Sequence, residues 1–237
     1  MSDQPTNGAP GQAHDSRETR RQRRAMVRRL QERGAVQDPA VIAAMSQIPR
    51  HVFLPGLSAR EAYADQPQAT LRDGTTLLSS VSQPTMIAQM LEHGHFAPGH
   101  RVLEVGTGQG YNAALLGHIV GPTGRVVTVD VEPSLVAFAA GALDELGLGD
   151  RVSIRVADGR QPVDSERPFD RIIVTAGAED VAPSWPRQLQ EGGLLIVPLS
   201  APRECVVWAK TGGGLAERVR LPARFIPLRD PVPGSEE

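Results

Sequence analysis

From Gly99 onward the chain alternates between short apolar runs and longer stretches whose apolar residues recur at helical spacing. The runs fall at Arg101–Val105, Gly124–Val129, Val152–Val156, Arg171–Val174, Gly193–Pro198 and Cys205–Ala209. Between them, Tyr111–Ile119, Pro133–Leu146 and Ala182–Leu189 carry the helical spacing. Short apolar strands separated by helices predict an α/β fold, with a mostly parallel sheet covered on both faces. The last two runs lie close together in sequence, as at Leu194 and Val206, so the sheet is expected to end antiparallel.

Before Gly99 the pattern is different. Residues 17–98 predict N-terminal helices followed by a loop, and residues 99–230 the α/β core. Arg17 to Arg29 is strongly basic, and two readings stand: a contact for nucleic acid or an acidic partner, or the solvated face of an amphipathic helix. In the second reading Met26, Val27 and Leu30 begin the apolar stripe and Gly34 stops the helix. A second helix follows from Asp38 through Met45, with Asp38 as cap and Pro39 at its first position, ending before Pro49. Residues 1–16 are rich in Gly, Pro, Asn, Asp and Ser and are expected to be disordered, and residues 231–237 to form a flexible tail.

Composition narrows the classes. The 237 residues are 40% hydrophobic and 22% charged, as in an ordinary globular domain, and the net charge of -2 gives no bulk electrostatic case for nucleic acid. Nothing approaches ~18 consecutive apolar residues, so no membrane span is expected. The polar N-terminus lacks the apolar centre of a secretory signal, which makes the cytoplasm the default. Cys205 is the single cysteine, excluding an internal disulfide framework, and it falls in a late apolar run as a small buried residue. The six histidines show no metal-ligand spacing, and no metal is expected. A monomer is favoured.

The sharpest segment is Val102-Leu103-Glu104-Val105-Gly106-Thr107-Gly108-Gln109-Gly110-Tyr111, an apolar strand running through a glycine-rich turn into a helix. Open α/β sheets bind ligands at the carboxyl ends of their strands, where the first helix begins. A dinucleotide fingerprint counted from Gly106 needs its third glycine at position 111, which holds Tyr111. What stands there instead is Glu-x-Gly-x-Gly-x-Gly, which resembles the first motif of Rossmann-like methyltransferases. Their cofactor, S-adenosyl-L-methionine, carries an amino acid and a sulfonium where a dinucleotide carries pyrophosphate. An acid at the strand end suits a cationic ligand and repels a diphosphate, although Glu104 is also readable as a plain surface carboxylate.

Two further acids support a nucleoside site. Asp130 ends the next strand, where a carboxylate can accept both ribose hydroxyl protons. Asp158, in Ala157-Asp158-Gly159, follows the third strand, where it can accept from the adenine amino group; by itself it is also a turn signal. The expected cofactor contacts are Glu104, Gly106, Thr107, Gly108, Gln109, Gly110, Asp130, Val131, Asp158, Gly159 and Thr175.

Several segments resemble the protein L-isoaspartate O-methyltransferase family. Ile48-Pro49-Arg50-His51-Val52-Phe53-Leu54-Pro55 is similar to its "PRHxFxP" stretch, and Ala62-Tyr63-Ala64-Asp65 to the segment before its substrate loop. Ser80-Val81-Ser82-Gln83-Pro84 resembles its "T-I-S-Q-P" signature, Phe169 to Ala176 its "FDxIIVTA" strand, and Arg224-Phe225-Ile226-Pro227-Leu228 its closing "RFVPL". The resemblance implies a Rossmann-like, doubly wound fold and cytoplasmic methylation of isoaspartyl carboxylates in damaged proteins or peptides. The ester is then lost as a succinimide that hydrolyses partly to normal aspartate. It also implies Ser82 as the active-site serine, with Ser80 where threonine is usual and Val81, Gln83 and Pro84 on the substrate side. The chemistry needs no strong base, because a carboxylate is already an anion and a sulfonium methyl already activated; the site must align the groups and keep them dry.

Ser82 has a second reading, as the cap of a helix over Pro84 to Leu91. The stretch from Gln66 to Ser79 also departs from the family's "LPIGxGQT" segment, being longer and without its paired glycines. That departure leaves open methylation of ordinary aspartate in a ribosomally made peptide, giving aspartimide or isoaspartate. A non-catalytic nucleoside-binding protein, with Arg17 to Arg29 as its contact surface, is the reading from another class.

Overall fold

A computed structural model describes residues 15–163 and 168–231. The sheet has seven strands: β3 (Arg101–Val105), β4 (Arg125–Asp130), β5 (Val152–Val156), β6 (Phe169–Val174), β7 (Leu189–Leu199), β8 (Glu204–Thr211) and β9 (Gly214–Pro222), in the order β5-β4-β3-β6-β7-β8-β9. β5 to β7 run parallel across the sheet, and β8 and β9 close it antiparallel. Helices α5 (Tyr111–Val120), α6 (Pro133–Glu145) and the short α7 (Ser184–Gln188) fall between strands where the apolar spacing predicts them. This is the expected doubly wound, mostly parallel architecture.

Strand alternation divides the core between the two faces. Val102, Val126, Ile173, Ile196 and Val207 pack with the N-terminal helices, while Leu103, Val105, Val127, Ile172, Val174 and Leu195 pack on the other face around Trp185. The helices before β3 are α1 (Arg17–Glu32), α2 (Pro39–Gln47), the four-residue α3 (Ala59–Ala62) and α4 (Pro84–Gly94), with a 3-10 turn at Arg50–Phe53. Met26, Leu30, Met45 and Leu91 share one apolar cluster with Leu115 and Val126. The change of pattern near residue 98 is therefore not a break in the core.

The basic run forms a helix with Met26, Val27 and Leu30 buried, and Asp38 caps α2 by accepting from Ala40 N at 2.7 Å. The expected disorder of residues 1–16 needs correcting at its end. Ser16 caps α1 through Thr19 N, and Asp15 holds the buried Arg23 at 2.7 Å. Residues 1–14 of the arm and 232–237 of the tail lie outside the described residues. No helix among the described residues is long and apolar enough to cross a membrane.

Several elements escaped the sequence pattern, the short α3 among them. Residues 66–79 are not an irregular loop: β1 (Gln68–Asp73) and β2 (Thr76–Val81) form an antiparallel hairpin turning at Gly74 and Thr75. β9 was also not anticipated.

Candidate active site

The carboxyl ends of β3, β4, β5 and β6 open onto a crevice of about 860 Å³. Its floor is the turn from β3 into α5. Gly106 has φ 104°, and a Cβ there would stand 2.6 Å from Thr175 Oγ1, so a side chain is excluded by both conformation and space. Thr175 Oγ1 donates to Gly106 O at 2.5 Å and lies within 3.1 Å of Val105 O, tying the turn to the end of β6.

Asp130 fixes the other side of the turn. Gly108 N donates to its Oδ2 at 2.8 Å and Glu132 N to its Oδ1 at 3.1 Å. Each oxygen thus has one backbone donor and keeps acceptor capacity towards the crevice, which Asp130 and Val131 line. Burial pushes the Asp130 carboxyl above its ordinary range, and the two backbone donors partly offset it.

Asp158 lines the crevice one strand further on. Its carboxylate accepts from Arg160 Nε at 2.8 and 3.1 Å and from Arg160 N at 3.0 Å, while Arg160 Nη2 reaches Asp230 at 2.8 Å. Gly159 follows, with its missing Cβ 2.4 Å from Val105 Cγ1 and its carbonyl accepting from Trp185 Nε1 at 2.7 Å. Backbone, not side chain, forms the wall at that point. Arg160 was not anticipated; its hold on Asp158 is local, two residues away, and only its second contact, to Asp230 seventy residues away, needs the fold.

Glu104 does not open onto the crevice. It is fully buried beneath the turn and accepts from Asn112 Nδ2 at 2.7 Å and Thr128 Oγ1 at 2.6 Å. Thr107, also buried, shares a hydroxyl hydrogen bond of 2.7 Å with Thr128. Neither Glu104 nor Thr107 lines the crevice itself, and Thr107 borders the small cavity beside it. Burial pushes the Glu104 carboxyl up to about 7, despite its two donors. Gly110 begins α5 against Ala139, and Gln109 borders a small cavity beside the crevice, where its Oε1 is buried without a partner.

β2 leads into the serine segment. Ser80 and Ser82 face the crevice, and Val81 between them is buried, as strand alternation requires. Val81 borders the small cavity but not the crevice; Pro84 is buried at the first turn of α4 and lines neither space, whereas Gln83 lines the crevice. Arg50, itself fully buried, holds the segment from behind. Its Nε donates to Ala62 O at 2.8 Å, its Nη2 lies 3.4 Å from Val81 O, and its guanidinium sits 5.0 Å above the Tyr111 ring. Ser82 is not the cap of α4. Gln83 occupies that position without a side-chain cap bond, and Asp65 takes the first-turn groups, with Thr85 N at 2.9 Å and Thr85 Oγ1 at 2.7 Å.

The far wall comes from the chain end. Gly177 N donates to Ile226 O at 2.7 Å and Leu228 N to Gly177 O at 2.8 Å, so residues 222–229 run as a strap beside the crevice, together with Arg203 from the β7–β8 turn. Within the Arg224–Leu228 motif the sequence carried a resemblance but no assigned role. Cys205 is buried in β8, its thiol pushed up to about 12 by desolvation, away from this chemistry.

A family profile described as Protein-L-isoaspartate(D-aspartate) O-methyltransferase (PCMT) matches residues 21–232. A Methanopyrus kandleri protein named Protein-L-isoaspartate O-methyltransferase is 39% identical over 219 residues, covering 91% of this chain and 95% of its own. One of the same name from Gloeobacter violaceus is 40% identical over 202 residues, covering 84% and 94%. A solved structure with that name superposes with TM-score 0.80 at 31% identity, over 88% of this chain and 66% of the other. A structure from Plasmodium falciparum in complex with S-adenosyl-L-homocysteine, 24% identical with TM-score 0.74 over 87% and 98%, shares the fold.

Proposed function

The chain belongs to the protein-L-isoaspartate(D-aspartate) O-methyltransferase family, and on that premise we propose how its crevice performs the reaction. The protein transfers a methyl group from S-adenosyl-L-methionine to the free carboxylate that an isoaspartyl linkage leaves as a side chain, in damaged proteins or peptides. The ester then closes to a succinimide, whose hydrolysis returns part of the chain to normal aspartate. Peptide tailoring, left open by residues 66–79, is not favoured, because relatives matching most of the chain bear the isoaspartyl name.

The observation that carries the site reading is one crevice lined by Asp130 and Asp158 on one side and by Ser80 and Ser82 on the other. The residues suit the cofactor: carboxylate oxygens with acceptor capacity left over, backbone at Gly106 and Gly159 where a Cβ has no room, and an orphaned buried acceptor at Gln109. Asp130 would accept from the ribose hydroxyls, and Asp158, oriented by Arg160, from the adenine amino group. Gln109 Oε1 would accept a hydrogen bond from the ammonium of the amino-acid end. When bound, the cofactor supplies a methyl group already activated on a sulfonium.

The chain's own residues align and shield. Ser80 and Ser82 donate to the substrate carboxylate, orienting its oxygens without protonating them. Their positions are set by the buried Val81 between them, Arg50 behind and Asp65 at the start of α4. Leu77, Leu78, Met86 and Phe225 give the crevice apolar walls that exclude water and strengthen these hydrogen bonds. No proton has to move before transfer.

The experiment is methyl incorporation from labelled cofactor into two peptides that differ only in an isoaspartyl or an aspartyl linkage. Transfer to the isoaspartyl peptide, far above its twin, is expected. No transfer to it would remove the assignment.

A further inference from the structure

The reaction leaves two arginines on the crevice rim without a task. Arg203 and Arg224 both line the crevice and both are exposed. They are joined through the backbone, where Ala223 N donates to Arg203 O at 2.9 Å. Neighbouring cations are neutralised: Arg220 pairs with Glu204 and Glu217, Arg229 with Glu132, and Arg160 with Asp158 and Asp230. Among the described residues, Arg203 and Arg224 have no ion pair and no side-chain hydrogen bond.

Arg203 also carries conformational strain. It sits in the turn between β7 and β8 with φ 73°, a region that costs any residue with a Cβ and favours glycine. Glycine would make the turn at lower cost, so what the position gains from arginine is the side chain. Charge is unevenly spread along the crevice as well. The lining acids, Asp130 and Asp158, stand at β4 and β5, at one end of the sheet order, while Arg203 and Arg224 adjoin β8 and β9 at the other. Among the described residues no carboxylate lines the crevice at the arginine end.

We propose that Arg203 and Arg224 select substrates by the charge of the residues flanking the isoaspartyl group, favouring peptide segments that carry additional carboxylates. This rests on the isoaspartyl-methylation reading and names the substrate class of that site. The unpaired guanidiniums draw an anionic segment to the serine side of the crevice and away from the acids of the nucleoside side. Methylation removes one negative charge, so the rim holds the reacting segment more tightly than the ester and favours exchange of product for substrate.

The test is kcat/KM for three end-blocked isoaspartyl peptides of equal length, with acidic, neutral or basic flanks. It is run with the wild type, Arg203→Gly, Arg224→Gln and, as a remote control on β9, Arg218→Gln. The wild type should prefer the acidic peptide. Each rim variant should lower the acidic-to-neutral ratio about two- to fivefold at low salt, the range of one exposed charge pair, and rising ionic strength should flatten the wild-type preference. Arg203→Gly should keep or raise Tm, separating loss of charge from loss of fold, and Arg224→Gln tests the rim without touching the turn. Equal kcat/KM on all flanks, or a preference unchanged in both rim variants, would overturn the proposal while leaving isoaspartyl methylation intact. Absence of transfer from the wild type to every peptide would overturn the methylation reading itself.

Discussion

Replacing Asp130 by alanine isolates the nucleoside end of the crevice. Its two oxygens each take one backbone amide, Gly108 N at 2.8 Å and Glu132 N at 3.1 Å, and keep acceptor capacity for one ligand hydroxyl apiece. Hydrogen bonds to a charged group contribute about 1.5–3 kcal/mol each. Burial already disfavours the charged carboxylate, which places Asp130 at the lower end of that range. Two bonds then total about 3 kcal/mol, a weakening of roughly 150-fold. Asp130→Asn should fall between wild type and alanine, since it keeps one acceptor but turns an amide donor towards a backbone N–H. Calorimetry with S-adenosylhomocysteine reads the affinity, and a thermal melt of the same samples reads the fold. Affinity within a few-fold of wild type, beside a lowered Tm, would show that Asp130 only braces the turn and would refute the ribose role.

Three further outcomes are expected. Ser82→Ala should lower kcat about 5- to 30-fold, the loss of one well-placed donor, with cofactor affinity and Tm unchanged; unchanged kcat would remove Ser82 from the chemistry. Glu104, with its carboxyl raised from 4.5 to about 7, keeps its proton in the folded chain at pH values where the unfolded chain has lost it. Its stabilising contribution is therefore full below the unfolded value and is lost as pH rises through 7. The stability of the wild type relative to Glu104→Gln should fall by about 2–3 kcal/mol between pH 5 and pH 8 in urea titrations; parallel pH profiles would contradict this. Gly159→Ala would press a methyl group to 2.4 Å from Val105, costing about 1–3 kcal/mol of overpacking and distorting the wall beside Asp158. A melt indistinguishable from wild type would count against that packing.

The inner parallel strands were legible because they are short apolar runs buried on both faces, as Arg125–Asp130 shows, and the edge strand β5 from the alternation of Val152, Ile154 and Val156 with Ser153 and Arg155. β9 hid because it is an edge strand: Glu217, Arg218 and Arg220 lie exposed along it, so no apolar run marks it. The β1–β2 hairpin hid for a similar reason, although Asp73-Gly74 is a turn signal that could have revealed it. Within the site, Asp130 and Asp158 were readable from strand ends alone. The burial of Glu104 was not, since its partners Thr128 and Asn112 come from other elements. The capping reading of Ser82 failed because Asp65, twenty residues from Thr85, reaches α4 first. The rim arginines depend on the turn at Arg203 meeting the strap at Ala223, a contact that only the fold creates.

The most direct test of the account is a crystal structure of the protein with S-adenosylhomocysteine. The account predicts the ribose hydroxyls within hydrogen-bond distance of Asp130, the adenine amino group beside Asp158, and the sulfur turned towards Ser82. A ligand bound elsewhere, or one whose sulfur faces away from the serine segment, would contradict it.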